Sequence, residues 1–153
     1  MQIYNNEFFS ATAIYSILKN NSTWSLGEIM LILPIVTHAD LVKTIKNKKS
    51  YISFLDIVID KPNLFYNFNQ MFHSYKTTTI NSLTLLLSIN AILVDKASGI
   101  IELNERFSIS KLEAVINENK RLRDIDIISE KMTTMLTKKT ELSEIYSQLG
   151  VKL

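Results

Sequence analysis

Apolar side chains recur along most of this chain at the three- and four-residue spacing of a helix. Phe8, Ala11, Ile14, Tyr15 and Leu18 fall on one helical face, so the pattern predicts a first helix over residues 7–19, with Asn5 or Asn6 as its cap. Ser25 and Glu28 have capping-box spacing, in which each side chain takes the other residue's amide. A second helix therefore starts at about Leu26 and enters the apolar run Met30 to His38, "MLILPIVTH".

Pro34 stands in the middle of that run. It lacks an amide hydrogen and pushes Leu33 away from helical angles, so the second helix is expected to stop or kink at about Leu33. Thr37 to Asp40 is a box-like start for a third helix through "ADLVKTIKNKK". Ser53 caps "FLDIVID", and Pro62 suits the first turn of the next segment. There Leu64, Phe65, Phe68, Met71, Phe72 and Tyr75 make an aromatic helical stripe, read as core, with a partner groove as the alternative. Thr78 or Thr79 is the expected cap of an apolar helix over residues 80–90.

Two β-rich runs, "AILV" and "GIIEL", then flank "DKASG". Gly99 suits a positive φ there, so this is the best hairpin signal in the chain. Helical spacing resumes over residues 111–138, with a break near "NENKRLRD". Thr140 is the expected cap of a last helix, and Gly150 sits where a left-handed helix end belongs. The fold class is mainly α with a small β-hairpin. One compact helical domain over residues 1–153 is expected, and the helix followed by a hairpin matches the outline of a winged helix.

Composition narrows the chemistry. The chain has 153 residues, a net charge of +2, three glycines, two prolines and no cysteine. Thiolate and disulfide chemistry are therefore excluded. The N-terminal stretch has no basic-then-apolar signal pattern, and the apolar runs are too short or too polar for a membrane span. The expectation is a soluble, cytoplasmic protein.

Chemical motifs are missing. His38 and His73 make no zinc signature and read as capping or surface histidines. No phosphate loop or nucleophile elbow is present among the three glycines. Asp124 and Asp126 read as solvated helix surface, like the other carboxylates. No catalytic set and no cofactor or small-molecule site are expected, so the chain reads as a non-enzyme. Lys43, Lys46, Lys48 and Lys49 complement a helix dipole at the end of the third helix. Lys46, Lys48, Lys49, Arg121 and Arg123 are also candidate phosphate contacts.

The order of these features resembles a known family, the middle component of three-component ABC systems, which are prokaryotic defence operons related to Lamassu. "NNEFFSATAIYSIL" resembles the family's opening helix. "LILPIVTHADLVKTIKNKKSYISFL" resembles its Leu-Pro corner with the two small helices that follow. "TTTINSLTLLLSINAILV" resembles its late helix and strand, and "EIYSQLGVKL" its terminal Leu-Gly-Val segment. Leu153 stands where proline is frequent in the family, and residues 105–138 match none of these motifs.

The resemblance implies a non-catalytic adaptor between an SMC/Rad50-like ABC ATPase and an effector, often a nuclease, from the same operon. DNA would be met indirectly through that complex, with no membrane and no small-molecule substrate. It nominates Leu33, Pro34 and Ile35, together with Leu149, Gly150 and Val151, as partner-binding residues. The bland alternative is that the corner packs inside the domain and sets the angle between two helices. The terminal segment would dock on a partner or fold back on the first helix. A winged-helix DNA-binding regulator is the competing function, weakened because "INSLTLLLSIN" is apolar for a groove-reading helix.

Overall fold

Helix α1 (Gln2–Leu18) is the axis of the molecule. The computed structural model describes residues 2–138 and 140–153. Every residue from Ser10 to Leu18 is buried, not only one face. A helix enclosed on all sides is expected to be apolar or to carry only small polar groups that satisfy themselves. Thr12 Oγ1 donates to the Phe8 carbonyl at 2.8 Å and Ser16 Oγ to the Thr12 carbonyl at 3.0 Å. The one-faced helix expected from the spacing is thus a central helix, packed against α7 (Lys76–Ser88) and α9 (Lys120–Thr137). It begins upstream of residue 7, so Asn5 and Asn6 occupy interior positions. Their side chains lie outside the described residues.

Short helices follow α1. The Ser25–Glu28 capping box forms in both directions and starts α2 (Leu26–Ile29). The helix then breaks at Met30 and Leu31, upstream of the proline. Pro34 lies inside α3 (Ile32–Val36). The physical reason is positional. Pro34 is the third residue of α3, where an amide hydrogen would be an orphan in any case. His38, not Thr37, caps α4 (Ala39–Asn47), its Nδ1 accepting from the Leu41 amide at 3.3 Å. Thr37 Oγ1 instead donates back to the Leu33 carbonyl at 2.6 Å. Ser53 and Asp56 form a second capping box at α5 (Phe54–Asp60).

Pro62 opens a single 3-10 turn, Pro62–Phe65, before α6 (Phe68–Ser74). Phe65, Phe68 and Phe72 are buried, as the core reading of the stripe required. Helix α7 begins at Lys76 without a side-chain cap, so Thr78 and Thr79 lie within it. It ends at Asn90, whose φ of 60° places it in the left-handed region. The Ala91 amide then reaches the Leu86 carbonyl at 2.9 Å, a Schellman closure.

The hairpin forms as expected, from β2 (Ile92–Val94) and β3 (Ile101–Leu103), with Gly99 at φ 74°. A third strand, β1 (Thr23–Trp24), joins the other side of β3 to give the order β1-β3-β2. Trp24 is buried beneath it and donates its indole N–H to the Leu18 and Asn21 carbonyls, each at 3.0 Å. It therefore closes the end of α1. Helix α8 (Ser110–Glu118) is separated from α9 by Asn119, which caps the Leu122 amide at 3.1 Å. The last helix, α10 (Leu142–Gln148), is preceded by Glu141 with no side-chain cap, so Thr140 does not serve as one.

Candidate partner-docking surfaces

The Leu33-Pro34-Ile35 corner is buried completely within α3. It sets the path from α2 to α4, and its side chains are covered within the chain. The reason is geometric: α3 packs against α1 on one side and α4 and α6 on others. Leu149 is buried too, while Gly150 is exposed and Val151 half-buried. Gly150 takes φ 77° and closes a Schellman motif, with Val151 donating to the Tyr146 carbonyl at 3.0 Å and Gly150 to that of Ser147 at 3.1 Å. The following residues fold back on α6 rather than on α1. The Lys152 amide donates to Asn69 Oδ1 at 2.7 Å, and His73 Nε2 meets the Lys152 carbonyl at 2.7 Å.

This path builds an open apolar groove of about 690 Å³ between α2, α6 and α10. Leu26 and Met30 form one wall, Phe72 the back, and Leu142, Val151 and Leu153 the other wall. Leu153 is 91% exposed at its rim. Tyr146 holds the walls at fixed separation. Its ring meets Phe72 edge-on at 5.5 Å, and its hydroxyl donates to the Gly27 carbonyl at 2.6 Å. Burial raises the Tyr146 pKa to about 12, so the phenol remains a donor. Lys76 lies over the Phe72 ring at 5.6 Å and supplies positive charge at the edge.

Four of the five basic candidates are engaged within the chain. Lys46 pairs with Asp124 at 2.9 Å, and Lys48 with Asp60 at 3.0 Å. Arg121 stacks over Phe9 at 5.1 Å, and Arg123 donates to the Asn117 carbonyl at 2.6 Å. Lys49 is exposed. Asp126 pairs with Lys19, so Asp124 and Asp126 tie α9 to two different neighbours instead of facing only solvent. The carbonyls at the end of α4 are met by Lys131 from α9, which donates to the Lys48 carbonyl at 2.5 Å. Burial lowers the Lys131 pKa. Among the described residues no cluster of three His, Cys, Asp or Glu could hold a metal, and no helix is long and apolar enough to cross a membrane.

A family model for the ABC-three component (ABC-3C) system Middle Component 3 matches residues 1–153. The chain belongs to this family. No curated protein and no solved structure matches it. As an ABC-3C middle component it is one part of a three-component system. The groove beside α10 contains the one nominated residue, Val151, that the fold leaves available on an apolar surface. Its other members were not found in the sequence, because Leu26, Met30 and Leu142 lie on separate short helices. The only signal for them was the apolar character of each helix.

Proposed function

We propose that this middle component is a non-catalytic adaptor in a Lamassu-like anti-phage or anti-plasmid defence complex. It bridges an SMC/Rad50-like ABC ATPase and an effector encoded beside it, and it meets DNA through that complex. The observation that carries this reading is the open apolar groove between α2 and α10, lined by the half-buried Met30, Leu142 and Val151 and edged by the exposed Leu26 and Leu153, beside the Tyr146–Gly27 hydrogen bond. An apolar surface with a polar edge fits protein association better than catalysis. The groove includes Val151, one residue of the Leu-Gly-Val segment that the family resemblance nominates for partner binding, and it is the face we assign to the ATPase.

The regulator reading is ranked below. Helix α7 carries a single basic residue, Lys76, exposes Ile80 and Leu87, and spends its inner face on α1. Such a helix has little to offer base edges or phosphates.

Co-expression with the two neighbouring genes, with the affinity tag on this chain, tests the proposal. Recovery of the ATPase with the tagged protein, and its loss on Leu153→Asp with Met30→Asp, supports the adaptor reading. A tagged protein recovered alone, with both neighbours expressed and soluble, overturns it.

A further inference from the structure

A cleft of about 340 Å³ lies between α4 and the start of α9. Lys43 and Lys46 line it from α4, and Lys120 and Arg121 from α9. Val36, Val42 and Ile125 are its buried apolar floor. An apolar floor keeps the local dielectric low and strengthens the field of charges at the mouth.

The cleft holds more positive charge than the chain balances. Asp124 is the single acid lining it, and Lys46 takes that carboxylate at 2.9 Å. Lys43 and Lys120 are exposed, and neither joins an ion pair among the described residues. Arg121 lies over the Phe9 ring at 5.1 Å. That contact orients the guanidinium without neutralising it, and its in-plane N–H groups stay available. Lys43, Lys120 and Arg121 therefore share one cleft without a counter-charge.

Helix-end complementation does not explain these three. Lys43 sits in the middle of α4, not in its last turn. Lys120 and Arg121 open α9, whose first turn has no acid, so they stand at the helix end that favours negative charge. The fold gains nothing from that placement, whereas an anion in the cleft would offset it.

We infer that the α4–α9 cleft is a phosphate-binding site, in which Lys43 and Lys120 pair with phosphate oxygens and the stacked Arg121 adds fixed N–H donors. A phosphate offers several acceptor oxygens around one centre, which donors on both sides of a cleft can share. The phosphate belongs either to a nucleic-acid backbone or to a free nucleotide or polyphosphate. The inference goes beyond the adaptor reading, which routes DNA through the complex, because it gives this chain a phosphate contact of its own.

The test uses the full chain alone, at about 50 mM salt, where phosphate contacts are strong. Fluorescence anisotropy follows a labelled single-stranded oligonucleotide and the matching duplex, and calorimetry follows ATP and inorganic tripolyphosphate. Lys43→Gln with Lys120→Gln is expected to weaken the bound phosphate probe by about tenfold or more. Lys96→Gln with Arg106→Gln removes the same charge away from the cleft and is expected to cost less than about threefold. If the ligand is a nucleic acid, the cleft variant also lowers the slope of log affinity against log salt by about two. Oligonucleotide binding assigns the phosphate to a backbone, and binding of ATP or tripolyphosphate alone assigns it to a small ligand; either supports the site. Circular dichroism checks that both exposed pairs leave the fold intact. No binding of any phosphate probe, equal losses in the two variants, or equally tight binding of a polyglutamate peptide overturns the inference. The neighbouring gene products are absent from this test, so its failure is distinct from failure of the adaptor reading.

Discussion

The hydroxyl of Tyr146 donates to the carbonyl of Gly27 at 2.6 Å and thereby fixes α10 against α2. A Cβ at Gly27 would come within 2.8 Å of Leu142 Cδ2 but 3.8 Å from the Tyr146 hydroxyl, so the glycine leaves room for the Leu142 side chain in the same seam. The same bond sets the width of the apolar groove. Tyr146→Phe keeps the ring against Phe72 but leaves the carbonyl without its donor, at a cost of about 1 kcal/mol. Thermal unfolding should show a melting point lower by about 2–4 °C.

The burial of the Tyr146 hydroxyl also has a pH signature. An unfolded tyrosine ionises near pH ~10, and the folded Tyr146 near about 12. The folded state therefore holds the proton more firmly between these values. The stabilisation is fully present below pH ~10 and is lost as pH rises toward about 12. Alkaline melting curves of Tyr146→Phe should fall less steeply than those of the unaltered protein in that window.

Two threonines next to α1 should respond with opposite signs. Thr79 is fully buried on α7, and its hydroxyl has no hydrogen-bond partner among the described residues. Thr133 on α9 is buried as well, but its hydroxyl donates to the Ile17 carbonyl at 3.1 Å and the Ser129 carbonyl at 2.9 Å. Thr79→Val removes an unmet polar group and should stabilise by about 1 kcal/mol, whereas Thr133→Val should destabilise by a similar amount. Urea midpoints with unchanged slopes would show both.

Acid should loosen the start of α5. The Asp56 carboxylate accepts the amides of Ile52 and Ser53, and these bonds hold its pKa below the ordinary aspartate value. A lowered folded pKa means stability that is present above pH ~3.9 and lost as pH falls through the folded value. Asp56→Asn should therefore lower the melting temperature near neutrality and converge on the unaltered protein in acid.

The Leu33 corner separates a structural role from a contact role. Leu33→Asp places an unpaired charge in the core and should abolish the cooperative melt altogether. A Leu33→Asp protein that melts normally and loses only its partner would contradict the burial described for α3.

What was legible in the sequence was local. The box at Ser25, the cap at Ser53, the break near residues 117–124, the hairpin at Gly99 and the Gly150 helix end each depend on residues within a few positions of one another. Pro34 misled because a proline marks a helix boundary without saying on which side it lies. Trp24 gave no strand signal, since its two-residue strand exists only by pairing with Ile101 and Glu102, far along the chain. The enclosure of α1 was hidden for a similar reason: Ser10, Thr12 and Ser16 look like a solvent face until α7 and α9 cover them. The docking groove was the least legible part. Leu26, Met30 and Leu142 read as ordinary apolar positions, and only the folded packing shows that they line one groove.

The adaptor account is tested most directly by the mass of the particle this chain forms. The full chain, co-expressed with its two neighbouring gene products, would be run on size-exclusion chromatography with light scattering, alongside Leu153→Asp with Met30→Asp. The account predicts a stable complex containing the ATPase, and a folded double variant that elutes without it. A chain that elutes at its own 17.6 kDa mass beside soluble neighbours would contradict it.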